Sequence, residues 1–179
     1  MINPNLKRIS KKLSLLLRHR PELFQLKLDK HGWCRVDELI RAAQKNKFLL
    51  DLPTLQQVVA ENDKNRFSFS ADGKKIRANQ GHSIPIELGY LPTEPPEFLY
   101  HGTATRFLKS IRQQGLQKRN RHHVHLSAER ATATQVGARH GVPVILTVRS
   151  RQMYRAGFEF FLSANGVWLT EAVPTKYFG

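Results

Sequence analysis

Apolar residues recur at helical spacing near the start of the chain, where Leu6, Ile9, Leu13, Leu16 and Leu17 alternate with Lys7, Arg8, Lys11 and Lys12. That pattern predicts an amphipathic helix, ended around "RHRP" because a proline drives the residue before it out of the α region. A turn at "DKHGW" leads to Val36, and Asp37 is the expected N-cap of a helix carrying Leu39, Ile40 and Ala43. Asp51 or Thr54 opens a third helix through Leu55, Val58 and Val59. The stretch "RFSFSADGKKIRA" then alternates as a hairpin turning at Asp72-Gly73, with Phe67, Phe69, Ile76 and Ala78 inward and Arg66, Ser68, Lys75 and Arg77 outward. Three helices followed by a hairpin make a winged-helix-like arrangement.

The Pro-rich segment "SIPIELGYLPTEPPEF" lacks helical periodicity and marks a boundary near Pro95. The expected division is therefore residues 1–94 and 95–179. Downstream, "FLYHGT" reads as a strand and "ATRFLKSIRQQG" as a helix with Phe107, Leu108 and Ile111 inward, stopped by Gly115. "RNRHHVHLS" reads as a strand, "AERATATQVGARHG" as a helix, "PVILTV" as a buried strand and "NGVWLT" as another. The whole is expected to be α+β.

Composition changes the picture in one respect. The 179 residues hold 29 Lys and Arg against 14 Asp and Glu, a formal net charge of +15, and such an excess points to a polyanionic partner, most often nucleic acid. Cys34 is a lone cysteine in an apolar setting, so no internal disulfide forms and a reducing compartment is expected. No apolar run reaches the length of a membrane span, and "MINPNLKRISKK" has no signal-peptide core. The expected location is the cytoplasm.

Three stretches carry candidate chemistry. In "RNRHHVHLS", strand alternation would set Arg121, His123, His125 and Ser127 on one face, with Val124 and Leu126 on the other. His123 and His125 have the spacing of zinc ligands and His101 could be a third, but a guanidinium beside them and the lack of an acid argue against any metal. An anion pocket fits better, with Ser127 expected at the start of a helix where negative charge is favoured. His122 reads as a surface residue. In "LLRHRP", Arg20 reads as a solvated helix end, while Arg18 follows directly on "LSLLL". In "KIRANQGHS", Arg77 lies among Asn79, Gln80, Gly81, His82 and Ser83, a donor-rich turn suited to phosphate.

In order, "LSLLLRHRP", "IRANQGHS", "LYHGT", "RHHVHLS" and "NGVWLT" resemble the RNA 2′-phosphotransferase family, from Leu13 to Pro174. The resemblance implies a winged-helix RNA-binding lobe followed by an ADP-ribosyltransferase-like lobe that binds NAD. It implies removal of an internal 2′-phosphate from RNA, through a 2′-phospho-ADP-ribosyl RNA intermediate. The products would be RNA with a free 2′-hydroxyl, ADP-ribose 1″,2″-cyclic phosphate and nicotinamide. By the same resemblance Arg18, His19, Arg77 and Arg121 form the catalytic set, with His19 the proton donor. His101, Gly102, Thr103, His123, His125, Ser127 and Val167 face NAD, and the motif leaves His123 and His125 in competition for one role. Val167 stands where related transferases carry glutamate, although Glu159 and Glu171 lie close in sequence. Arg66, Lys75, Asn79, Gln80 and His82 are the expected RNA contacts, and Trp168 and Phe160 are expected in the core. The implied partners are RNA and NAD, with no membrane and a monomeric chain. Two other readings compete: a nucleic-acid-binding regulator with a nucleotide-sensing lobe, and a transferase acting on nucleic-acid phosphate ends.

Overall fold

The computed structural model describes residues 4–62 and 65–179. Helices and short strands alternate in an α+β arrangement that falls into two compact units, Met1–Gly89 and Tyr90–Gly179. The division falls between Gly89 and Tyr90, after Pro85 and ahead of Pro92, rather than at Pro95. The reason is local: Thr93 N–H donates to the Phe160 carbonyl at 2.7 Å and Pro92 bridges Phe161, so the segment after Gly89 is tied into the second unit.

In the first unit, α1 (Pro4–Arg18) buries Leu6, Ile9, Leu13, Leu16 and Leu17, the stripe seen in the sequence. Arg20 leaves helical geometry at φ −139° ahead of Pro21, as steric conflict with a following proline requires, and a 3₁₀ turn spans Pro21–Phe24. A two-residue strand β1 (Cys34–Arg35) precedes α2 (Val36–Lys45), and α3 (Leu52–Ala60) follows with Asp51 as its cap, its side chain accepting from Thr54 N–H at 2.9 Å. Asp37, expected as the cap of α2, instead sits inside its first turn, where it accepts from Arg35 Nε and Nη2 at 3.0 Å each and from Arg41 Nη2 at 2.8 Å. The hydrogen bonds from Arg35 chiefly hold its carboxyl down at about 2.

The hairpin strands β2 (Phe67–Phe69) and β3 (Lys75–Ala78) join β1 in an antiparallel sheet of order β1-β3-β2. Phe67, Ile76 and Ala78 are buried, and Phe69 packs partly buried on the same core. Cys34 is fully buried; desolvation above all, with Glu38 and Asp37 nearby, pushes its thiol up to about 12, so it is an inert core residue.

The second unit is built from pairs of strands. β4 (Leu99–Ala104) runs antiparallel to β7 (Pro143–Val148) along its whole length. β6 (Val124–Leu126), β9 (Trp168–Thr170) and β8 (Phe161–Leu162) form a second sheet, and β5 (Leu116–Gln117) pairs with β10 (Ala172–Val173). Reciprocal hydrogen bonds of 2.8 Å between Tyr100 and Ser127 join β4 to the end of β6. Three helices complete the unit: α4 (Leu108–Gln114), α5 (Arg130–Gly137) and α6 (Ser150–Arg155). The core gathers Leu99, Val124, Leu126, Val148, Met153, Phe160 and Trp168, which places Phe160 and Trp168 where the sequence suggested. Phe107 is exposed rather than inward, and β7 buries only Val148, so "PVILTV" is a half-covered strand.

Gly102 sets the spacing between β4 and α5. A β-carbon there would lie 1.7 Å from the Ala133 carbonyl oxygen, and one at Gly137 would lie 2.6 Å from that of Thr103. Strand and helix therefore meet backbone to backbone.

Candidate functional site

In the first unit the candidate residues collect around the end of α1 and the turn after β3. Arg18 is half-buried; its Nη2 donates to the Arg66 carbonyl at 3.4 Å, and its guanidinium lies 6.0 Å from the Phe67 ring centre. His19, exposed, has Nδ1 2.9 Å from Ser83 Oγ. Ser83 in turn donates its backbone N–H to the Arg18 carbonyl at 2.9 Å, so the "QGHS" turn and the "RHR" helix end are stitched together twice. Arg77 stands on the outward face of β3, opposite Ser68. Its guanidinium lies 4.6 Å from the centre of the Trp33 ring, and Nη1 reaches the Leu88 carbonyl only at 3.5 Å. The buried Nε of Arg77 has no hydrogen-bond partner among the described residues. A buried guanidinium donor left over in this way is what an incoming oxygen anion can satisfy.

The expected RNA contacts divide by burial. Lys75 is exposed and pairs with Asp29 at 3.5 Å. Arg66 is half-buried beside Asn62, and Gln80 is half-buried as well. Asn79 and His82, by contrast, are each 1% exposed. Asn79 Nδ2 donates to the Asn65 carbonyl at 2.7 Å, and the His82 ring lies against Gly32, 3.5 Å from where a β-carbon would stand. These two side chains build the turn from inside and do not face outward.

In the second unit the strand holding the histidines is shorter than alternation suggested. Arg119 takes a left-handed φ of 51°, residues 119–123 bend, and β6 begins only at Val124. Alternation is therefore obeyed by Val124, His125 and Leu126 but does not extend to Arg121 and His123. Arg121 nevertheless meets His125, its Nη1 2.9 Å from Nδ1. His123 turns instead toward Phe161, with ring centres 5.6 Å apart. Desolvation, and then the neighbouring His122, pull His123 below the usual histidine range.

His101 Nδ1 is 3.0 Å from the His125 carbonyl oxygen. A carbonyl only accepts, so Nδ1 carries the proton. Desolvation pushes His101 below its ordinary value; the hydrogen bond to His125 opposes this, and the charges of Arg121 and His140 add to it. His101 is thus held as a neutral ring whose Nε2 is an acceptor, the state that receives a hydrogen bond from a hydroxyl.

Beside it Thr103 is buried, and the missing side chain of Gly102 is accounted for by α5. Ser127 is part of the bridge to Tyr100 and not a helix start, because α5 begins at Arg130 with Glu129 in the cap position. Val167 precedes β9. Its N–H donates to Ser163 Oγ at 3.0 Å and its carbonyl accepts from Ser163 N–H at 2.9 Å, so it closes a turn. Glu159 is exposed, its carbonyl holding Thr170 Oγ1 at 2.9 Å, and Glu171 pairs with Lys118. Among the described residues no three His, Cys, Asp or Glu side chains gather as a metal ion would require.

The sequence matches the family described as RNA 2'-phosphotransferase, Tpt1 / KptA family, over residues 4–172. The chain belongs to this RNA 2′-phosphotransferase family. A probable RNA 2′-phosphotransferase of Flavobacterium johnsoniae is 56% identical over 177 residues, covering 98% of this chain and 97% of that protein. Proteins of the same description from Burkholderia lata and Acaryochloris marina are 54% and 50% identical, over 97% and 99% of this chain and 90% and 98% of theirs.

Two residues of this family member bear on the site without a sequence signal of their own. Trp33 follows a glycine ahead of a very short strand, a setting that suggests only core. Leu88 contributes a carbonyl, which no side-chain pattern can reveal. Among the described residues, no helix is long and apolar enough to cross a membrane.

Proposed function

We propose that this chain removes an internal 2′-phosphate from RNA with NAD as co-substrate. The observation that carries the reading is Arg77: a guanidinium backed by an indole, with a buried donor left over and no ion pair among the described residues. Arg121 likewise makes no ion pair among the described residues, whereas Arg20, Arg35, Arg41 and Arg151 all do. Arginines kept clear of carboxylates remain available to a phosphate dianion.

NAD supplies a ribose carbon that can accept a phosphate oxygen as nicotinamide leaves, and the expected products are RNA with a free 2′-hydroxyl, ADP-ribose 1″,2″-cyclic phosphate and nicotinamide. A phosphate dianion is already a nucleophile, so the protein's work is to position it. Arg18, Arg77 and Arg121 hold phosphoryl oxygens and stabilise charge that grows on them. The neighbouring hydroxyl of the ADP-ribosyl ribose then attacks the phosphorus and gives up its proton, while His19, its ring 2.9 Å from Ser83 Oγ, gives a proton to the RNA oxygen that departs. His101 fits a ribose, because its Nε2 lone pair accepts from a hydroxyl. Thr103 and the backbone of Gly102 line the same strand, and any contact from Gly102 is made by its main chain. His123, Ser127 and Val167 remain assigned to NAD in this reading, and no metal is involved.

Element order supports the lobe assignments. Helix, strand, helix, helix and hairpin follow one another in the first unit as in winged-helix domains. In the second, strand pairs with a helix packed on β4 suit an ADP-ribosyltransferase-like lobe. Arg66, Lys75 and Gln80 are the remaining candidates for contact with RNA.

The test is to incubate the protein with a short RNA bearing one internal 2′-phosphate, with and without NAD and with and without EDTA. Loss of the RNA phosphate only when NAD is present, unaffected by EDTA, is the expected result. RNA bound tightly but returned intact would favour a nucleic-acid-binding protein. ADP-ribose added to an RNA that carries only a terminal phosphate would favour transfer to phosphate ends.

A further inference from the structure

We infer that His125 is a positioning residue for Arg121, holding its guanidinium through the lone pair of Nδ1. The inference rests on the proposed role of Arg121 as a phosphate-binding arginine. Arg121 is exposed on a bent segment, fixed in its main chain by a hydrogen bond from its N–H to the Lys118 carbonyl at 3.0 Å. A long side chain so placed has many rotamers, and any role in binding phosphate requires that one be selected. His125 offers the means. It sits mid-strand in β6, paired with Leu169 on β9 and flanked by buried Val124 and Leu126, so its ring projects from a fixed base.

The chemistry of the contact settles the proton. A guanidinium has donors only, so the Nδ1 that lies 2.9 Å from Arg121 Nη1 must be an acceptor. In a neutral ring the proton is then on Nε2. His101 is fixed the opposite way, since its Nδ1 donates to the carbonyl of this same His125. The two histidines therefore carry opposite tautomers, each set by its partner. His101 presents an acceptor at Nε2, and His125 presents a donor there.

A neutral acceptor also suits the task better than an acid would. A carboxylate in place of the imidazole would orient Arg121 but would offset its charge and compete with phosphate for its donors. The imidazole orients the guanidinium and leaves its full charge for the substrate. One residue thus anchors the phosphate arginine through its side chain and the NAD-side histidine through its carbonyl.

The experiment measures single-turnover removal of the RNA 2′-phosphate at saturating NAD. His125→Ala and His125→Phe should each lose about 10²-fold, the scale of a misplaced catalytic group. His125→Asn should recover most of the rate, because its Oδ1 falls near the Nδ1 position. In an Arg121→Ala background, His125→Ala should add no further loss, since the two side chains act as one unit. Full additivity there, or a His125→Phe variant as active as wild type, would overturn the inference.

Nitrogen NMR of the histidine rings gives a readout independent of turnover. His125 should be neutral with its proton on Nε2, and Arg121→Ala should change that balance. A proton found on Nδ1 of His125 in the wild-type protein would also overturn the inference. Should wild-type protein leave the RNA phosphate in place, the proposed reaction fails, while the tautomer measurement still decides the role of His125.

Discussion

Arg77 sits over an aromatic partner, its guanidinium 4.6 Å from the centre of the Trp33 ring. The indole face attracts the cation without neutralising it and so favours one placement of the guanidinium. Such contacts are worth about 1–2 kcal/mol when partly desolvated, or roughly tenfold in rate if the orientation is used in the transition state. Trp33→Leu should therefore lower kcat/KM about tenfold, while Trp33→Phe, which keeps a π face, should retain most of it. Steady-state kinetics beside a thermal melt would separate this from a loss of fold, and equal losses in both variants would contradict it.

Replacing Arg77 by lysine keeps the charge and discards the planar fork. A lysine cannot present the leftover Nε donor or lie along Trp33 in the same way. We expect Arg77→Lys to fall about 10²-fold or more in turnover, the scale of losing one preorganised donor, with RNA affinity nearly unchanged. A binding loss in proportion to the rate loss would instead mark Arg77 as a general RNA contact.

The histidines of the second unit make a statement about pH. Desolvation lowers both His101 and His123 in the folded protein, so below their ordinary value the unfolded chain binds more protons than the native one. Stability is then full above about pH 6.5 and is lost as pH falls from there toward the lowered native values. Melting temperatures recorded from pH 8 to pH 5 should drop over the acidic half, and His101→Asn should flatten that drop. A melting temperature that rises toward pH 5 would contradict the assignment.

Gly102→Ala tests the contact between β4 and α5. The new β-carbon would meet the main chain of Ala133 at 1.7 Å, and backbone cannot swing aside as a side chain can. Overpacking of this kind should cost about 3 kcal/mol or more, a fall of roughly 6–12 °C in melting temperature for a chain of this size. An unchanged melt would show that α5 can move off the strand.

The net charge of +15 leads to a prediction about salt. If the basic surface meets RNA phosphates, the logarithm of the affinity falls linearly with that of the salt concentration, by about 0.7 for each phosphate neutralised on a single strand. A flat dependence in a filter-binding titration would remove the RNA from the account.

What is legible in the sequence follows the strength of local signals. Five apolar residues at helical spacing were enough for α1, and Pro21 ended it. The hairpin was legible because Phe67, Ile76 and Ala78 alternate around an Asp72-Gly73 turn. Two-residue strands such as β1, β5, β8 and β10 lie below the reach of any periodicity, since only tertiary pairing defines them. The six-residue α6 spans fewer than two helical turns, too short for a 3.6-residue period to show in the sequence. Alternation placed His125 opposite Val124 and Leu126 but could not show where the strand begins. The left-handed turn at Arg119 decided that, and it sent His123 to Phe161. Asn79 and His82 misled because polar residues in a donor-rich turn resemble a surface, yet they are buried and form its inner lining. Trp33 was the largest omission, because its partner Arg77 is far away in the chain.

The most direct test of the central claim follows the phosphate itself. RNA carrying a single isotopically labelled internal 2′-phosphate would be incubated with the protein and NAD, and the label located after separation of the products. All released label should reside in ADP-ribose cyclic phosphate, in amounts equal to the nicotinamide formed. Label released as inorganic phosphate, with NAD untouched, would contradict it.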